Sequence, residues 1–387
     1  MREVYLDNAA TTKPSERAVQ LIKEVLESAY GNPSSLHRKG QEAEKYIRQA
    51  RMKLAQILMA EPETIFFTSG ATESSNTAIR GAAERGKRRG QHILTSRSEH
   101  AATRENLRFL QDQGYEVEEL ENDATGQIRL QDLQQKIRPD TILVTCLHVN
   151  NETGCINPVQ EMGKLIHQNT PECLFHVDAV QSFAKYPVYP KRWEIDLMST
   201  SAHKINGPKG IGFLYIRRGL HLPSLILGGG QERHFRSGTE NVPFIAGFGA
   251  AAEELWQQHE ELTAKMQQWK LKLIQALQQE IDGITCNGAS PEGGAAHILN
   301  IRVEQVRSEV LLHALEEYGI YVSSGSACAS NKPDEKSPAL HAIGLTAAEI
   351  DESLRISFGR YNTEEDIQAV VSAMKQVVPM LRRFVRK

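Results

Sequence analysis

Short, almost continuously apolar runs alternate with helically spaced segments along the first two thirds of this chain. No other feature constrains its fold as much. The runs fall at residues 64–68, 92–95, 141–147, 174–178, 195–200 and 210–216. They do not alternate polar with apolar, so they read as strands buried on both faces. Between them, Ala43, Ile47, Ala50, Leu54 and Ile57 recur at spacings of four and three, which places them on one face of a helix. This alternation predicts an α/β domain built on a largely parallel sheet.

The pattern changes after about residue 250. A long helical stretch begins there, with Leu262, Met266, Trp269, Leu273 and Leu277 on one face. A strand is expected at 297–303, a helix at 308–318, an irregular Gly/Ser/Pro stretch at 323–338 and a last helix at 363–385. At 387 residues the chain is long enough for more than one domain. The expected division is a large α/β domain of residues 16–259 and a smaller α+β domain of residues 1–15 and 260–387.

A net charge of −3 gives no reason to expect nucleic acid or a membrane surface as the main partner. The basic runs at 85–89 and 382–387 read as solvated helix faces or tails. No apolar segment opens the chain, and nowhere do roughly 18 apolar residues follow one another. A cytoplasmic protein is expected. The five cysteines, Cys146, Cys155, Cys173, Cys286 and Cys328, are odd in number and contain no CxxC pair. That pattern argues against a disulfide framework and against a zinc site.

Several polar motifs lie at the ends of the expected strands, where α/β folds place ligand-binding groups. Ser201-Ala202-His203-Lys204-Ile205-Asn206-Gly207-Pro208 sits between two strands and ends in turn formers. By itself it also describes an exposed turn lysine, the commoner case. Phe175-His176-Val177-Asp178-Ala179-Val180-Gln181 is an apolar strand ending in an aspartate. That carboxylate can pair with a cation such as a pyridinium nitrogen, or can cap the next helix. Thr68-Ser69-Gly70-Ala71-Thr72 leads from a strand through a glycine into a helix start. It can be an ordinary cap, or a phosphate cup of backbone N–H groups and the Thr72 hydroxyl. His100 follows another strand and can stack on an aromatic ring or be structural. Asn150 and Asn151 follow the strand 141–147, where they can bind a ligand or shape the turn.

Taken in order, phosphate cup, histidine, amide, strand-end aspartate and lysine resemble the class-V aminotransferase group of fold-type I pyridoxal-phosphate enzymes. Within it, the chain is most similar to cysteine desulfurases of the NifS/IscS type. The likeness runs from Tyr5-Leu6-Asp7-Asn8-Ala9-Ala10-Thr11-Thr12 to Leu354-Arg355-Ile356-Ser357-Phe358-Gly359-Arg360. It implies pyridoxal 5'-phosphate as cofactor and Lys204 as the Schiff-base lysine and general base. Asp178 becomes the partner of the pyridine nitrogen and His100 the ring-stacking residue. Gln181 and Asn151 become contacts to the ring oxygen and nearby substrate. Ala71, Thr72, Ser201 and His203 would hold the phosphate. Thr239, in Arg236-Ser237-Gly238-Thr239-Glu240, would complete the phosphate site of a neighbouring subunit, which implies a homodimer. Arg355 matches the arginine that binds the substrate carboxylate, a task suited to a planar two-pronged donor.

Ser323-Ser324-Gly325-Ser326-Ala327-Cys328-Ala329-Ser330 continues into Asn331-Lys332-Pro333-Asp334-Glu335, a composition typical of an exposed loop. Without the resemblance, Cys328 is a surface cysteine of no consequence. With it, Cys328 matches the nucleophile that takes sulfur from L-cysteine, leaving L-alanine and a Cys328 persulfide. The implied partner is a sulfur-acceptor protein. Only 32 residues follow Arg355, fewer than in family members that dock an iron–sulfur scaffold. A tRNA-thiolation or other thio-cofactor protein is therefore an equal candidate. The other readings are a small-substrate aminotransferase or selenocysteine lyase of the same group, and a non-catalytic sulfur-relay subunit. An aminotransferase has no need of Cys328, and a non-catalytic subunit has no need of Lys204.

Overall fold

The computed structural model describes residues 2–324 and 337–384. In chain order the strands are β1 (Val4–Tyr5), β2 (Ile65–Thr68), β3 (His92–Ser96), β4 (Glu116–Leu120), β5 (Thr141–Leu147), β6 (Leu174–Asp178) and β7 (Leu197–Ser201). They continue as β8 (Gly212–Ile216), β9 (Ile284–Cys286), β10 (Ile298–Val303), β11 (Ile320–Tyr321), β12 (Ser323–Ser324) and β13 (Ser353–Ser357).

The main sheet has the order β2-β8-β7-β6-β5-β3-β4. Neighbours run parallel from β7 through β6, β5 and β3 to β4, whereas β8 is antiparallel to both β2 and β7. The expected largely parallel sheet is therefore present, with one reversed strand near its edge. Every residue of β5, β6, β7 and β8 is buried, as apolar runs covered on both faces require. Strand β4, Glu-Val-Glu-Glu-Leu, was not expected from the sequence. It closes the opposite edge and buries only Leu120, and its acidic residues protect an exposed edge from further pairing.

The 39-residue helix Val242–Glu280 starts earlier than the apolar periodicity suggested. Asn241 caps it by accepting from the Phe244 N–H at 3.3 Å, and Pro243 suits its first turn. Its first half buries Ile245 and Phe248 in the core that also holds Phe175, Phe183 and Phe213. Its second half buries Met266, Leu273 and Leu277 in a separate core with Leu299, Ile301, Leu354 and Ile356. Leu262 packs against both cores. The second core covers a smaller sheet of order β12-β13-β10-β9, while β1 pairs with β11 in parallel.

The stretch 323–338 is not irregular throughout. Ser323–Ser324 pairs with β13, and a short helix, Pro338–Ala342, follows Ser337. The last helix is Glu364–Arg382, opened by a capping box between Thr363 and Asp366. The basic run at 85–89 makes contacts within the chain. Lys87 pairs with Glu84, and Arg89 donates to the Thr141 carbonyl at 2.5 Å.

Candidate active site

The strand ends β5, β6 and β7 open into a cavity of about 650 Å³. It brings together Ala71, Thr72, His100, Asn151, Asp178, Gln181, Ser201, His203, Lys204 and Arg355. These are all the site residues that the resemblance implied except Thr239 and Cys328. Thr239 is exposed in a neighbouring cleft with Ser69, Arg236 and Gly238. Cys328 lies outside the described residues.

Lys204 ends a single 3-10 turn, Ala202–Lys204, that follows β7 directly. The turn is held by the N-terminal segment: Thr12 N–H donates to the His203 carbonyl at 2.8 Å, and the Asn206 N–H donates to Thr12 Oγ1 at 2.7 Å. Lys204 Nζ donates to the Ala9 and Ala10 carbonyls at 2.7 and 2.6 Å. The lysine is thus a half-buried cavity residue fastened across the chain, not a free turn lysine.

Asp178 is buried at the end of β6, with Oδ1 accepting from the Val180 N–H at 2.9 Å. Burial pushes its carboxyl up, and His100, the Val180 N–H and Lys204 pull the other way. A cation brought into the cavity would add to that pull. His100 is the N-cap of the Ala101–Asp112 helix, its Nδ1 accepting from the Ala102 N–H at 3.1 Å. The ring stands open to the cavity while protein encloses its other sides. That partial desolvation lowers its pKa, opposed by Asp178, so the ring is neutral near pH 7.

The Ala71–Gly86 helix points its N-terminus into the cavity, and among the described residues no side chain caps it. Its first-turn N–H groups are left for a ligand. Gly70 reaches φ 155°, and a Cβ on Gly212 opposite would lie 2.8 Å from Gly70 Cα. Two glycines therefore let β8 close tightly on this helix start. Glu73 is turned away from a ligand role: it accepts from the Ser69 N–H and pairs with Arg236. His203, with Nδ1 3.2 Å from Thr11 Oγ1, is pushed down to about 4 by burial and by the nearby lysines, so it serves as a neutral hydrogen-bonding group.

At the other end, Arg355 is buried on β13. It donates from one nitrogen to the Asn151 carbonyl and from another to Asp7 Oδ1, both at 2.8 Å. Among the described residues its buried Nε has no partner. Asn150 is the amide that shapes the turn, accepting from the Glu152 and Thr153 N–H groups, whereas Asn151 faces the cavity.

Four contributors were missed from sequence. Asp7 and the Ala9 and Ala10 carbonyls belong to a motif noted only for its resemblance; its run of small polar residues straight after β1 was the available signal. Glu99, beside His100, is fully buried, accepts from the Leu147 N–H at 3.0 Å and has a carboxyl pushed well up by burial and by Asp178.

Among the described cysteines, Cys146, Cys155 and Cys173 are buried and Cys286 is half-buried. Burial pushes the Cys155 and Cys173 thiols up to about 12 and Cys286 to about 11, and raises Cys146 well above its ordinary value. None of these four is prepared to act as a thiolate.

Residues 4–370 match the family of class-V aminotransferases. The chain is 40% identical over 383 residues to a protein of Methanosarcina thermophila named cysteine desulfurase IscS, covering 99% of this chain and 94% of that one. Among solved structures, a NifS-like protein superposes with a TM-score of 0.92 at 35% identity, covering 98% of this chain and all of that one. The structure described as SspA in complex with cysteine gives 0.80 at 35% identity, covering 93% and 99%. Both the family match and the relatives span nearly the whole chain, and the chain therefore belongs to the class-V aminotransferase family.

Proposed function

We propose that this protein is a cysteine desulfurase that uses pyridoxal 5'-phosphate held at Lys204. One observation carries the reading. A single cavity holds a strand-end lysine, a buried strand-end carboxylate, an uncapped helix N-terminus and a buried arginine. The residues fit the cofactor. The free N–H groups of the Ala71–Gly86 helix, with Thr72, Ser201 and His203, suit its phosphate. Asp178 suits its ring nitrogen, since a cation offsets what burial costs that carboxylate. His100 offers a neutral ring, and Gln181 and Asn151 reach the cavity beside it. When bound, the cofactor supplies an electron sink that makes the Cα hydrogen of an amino acid acidic.

The chain's own groups do the rest. Arg355 receives the carboxylate of L-cysteine and fixes which side of Cα faces Lys204. Lys204 takes the Cα proton as a general base. The Cys328 thiolate attacks the substrate sulfur, and the Cβ–Sγ bond breaks. The sulfur stays on Cys328 as a persulfide, and the carbon skeleton, protonated, leaves as L-alanine.

A homodimer is part of this reading, with exposed Thr239 offered to the phosphate site of a second copy. So is the division into units 16–259 and 1–15 with 260–387, which the two hydrophobic cores support. Among the described residues no helix is long and apolar enough to cross a membrane, in keeping with a cytoplasmic enzyme. The persulfide passes to an acceptor protein, either an iron–sulfur scaffold or a tRNA-thiolation enzyme.

The experiment is incubation of the cofactor-loaded protein with L-cysteine, assaying alanine and sulfide for wild type, Lys204→Ala and Cys328→Ser. The reading requires alanine from wild type and none from either variant. Transamination that Cys328→Ser leaves untouched would instead make the protein an aminotransferase.

A further inference from the structure

Gln181 sits on the cavity wall, yet its side chain is fixed from behind. Its Nε2 donates to the Ala9 carbonyl at 2.9 Å, the same carbonyl that accepts from Lys204. A carbonyl only accepts, so the amide must present its NH₂ on that side. Its Oε1 faces inward and meets Lys185 Nζ at 3.4 Å and His297 Nε2 at 3.3 Å. Gln181 and Lys185 lie four residues apart in one tight turn, where Phe183 N–H bonds the Ala179 carbonyl and Tyr186 N–H the Ser182 carbonyl. That spacing puts both side chains on one face.

Lys185 is an unusual residue to bury. Among the described residues its ammonium meets the amide of Gln181 and no carboxylate. Burial and the Lys204 charge pull it down to about 7. The groups around it are Lys204, His203 and His297, with Tyr186 next in the chain, and none carries a negative charge that would explain a lysine here. His297, also fully buried, is neutral. A structural filler would serve better as methionine or leucine, since a buried amine without a counter-ion costs stability.

We propose that Lys185 is a positioning residue: acting from behind, it locks Gln181 so that the amide NH₂, and not the carbonyl, faces the ring oxygen of the cofactor. This rests on the pyridoxal-phosphate reading above. A donor on that oxygen competes with the oxygen's hold on the proton shared with the Lys204 linkage. Losing the donor therefore raises the pH at which the proton leaves. His297 supports the same orientation, so Lys185 sharpens the lock without being its sole cause.

The test is the pH midpoint of the visible band of the cofactor-loaded protein, without substrate, in a double-mutant cycle. Lys185→Met should raise the midpoint by about 0.5–1 pH unit. The same change made on Gln181→Ala should move it by less than half as much. Lys185→Arg, which keeps a donor, should stay near wild type and guards against a folding defect in the methionine variant. An unchanged midpoint in Lys185→Met overturns the inference. So does an equal shift in both backgrounds, because the lysine would then act through its charge alone. A wild-type protein that forms no visible band overturns the cofactor reading itself, and this inference with it.

Discussion

The two ends of the cavity are built on different plans. At the lysine end, Asp178, Ser201 and Lys204 sit on or just beyond the adjacent strands β6 and β7. Backbone pairing sets their positions, and little has to move for them to meet. At the arginine end, Arg355 comes from the smaller sheet and is held by Asp7, 348 residues away, and by the carbonyl of Asn151, 204 residues away. At the lysine end the distant Ala9, Ala10 and Thr12 fasten groups that neighbouring strands have already aligned, whereas at the arginine end the pairing of distant segments itself makes the site. In the proposed function the lysine end carries the chemistry and the arginine end recognises the substrate carboxylate through the guanidinium of Arg355.

Substitutions at the two ends should separate these roles. The largest effect is expected for Lys204→Ala, with turnover falling by at least about a thousandfold in a steady-state assay of alanine release. Arg355→Lys should leave kcat within about threefold and raise KM roughly ten- to a hundredfold, as expected when a two-pronged contact becomes a single one. Equal losses in kcat and KM there would erase the distinction between the two ends. Asp7→Asn keeps the shape but weakens the anchor of Arg355, so KM should rise by about three- to tenfold.

How much of this was legible from the chain follows the same division. The strand-end groups were readable because apolar runs fix the strands, and the residue after each run lands at the same end of a parallel sheet. The β5 and β6 bounds matched residue for residue. The Asp7–Arg355 pair was not readable, since nothing in local spacing links positions so far apart. Strand β4 escaped because an edge strand needs only one buried residue and so lacks an apolar run. The start of the long helix was misplaced because its first turns are buried on most sides and carry no stripe. The role of Lys185 was hidden for a related reason: a lysine reads as a surface residue until its surroundings are known.

The smallest effect concerns stability. His148 is fully buried edge-on against Trp193, and burial lowers its pKa to about 4. His176, bonded to Thr145 and Ser199, is lowered to about 3. Between these values and the unfolded value of about 6.5, the unfolded chain binds protons that the folded one refuses. Their contribution is whole above pH 6.5 and declines as pH falls towards 4, by at most about 1.4 kcal/mol per pH unit for each ring. Urea midpoints between pH 7 and pH 4.5 should fall accordingly, and His148→Phe should flatten the slope. A slope unchanged in that variant would show that acid instability arises elsewhere, such as at the paired carboxylates.

In the proposed function, chemistry begun at Lys204 ends as sulfur on one particular cysteine. The most direct test of this is the mass of every cysteine-containing peptide after the loaded enzyme meets one equivalent of L-cysteine. One added sulfur atom is expected on the peptide that carries Cys328, and none on those carrying Cys146, Cys155, Cys173 or Cys286. Alanine released in step with sulfur on any of those four, or with no sulfur on the protein at all, would contradict it.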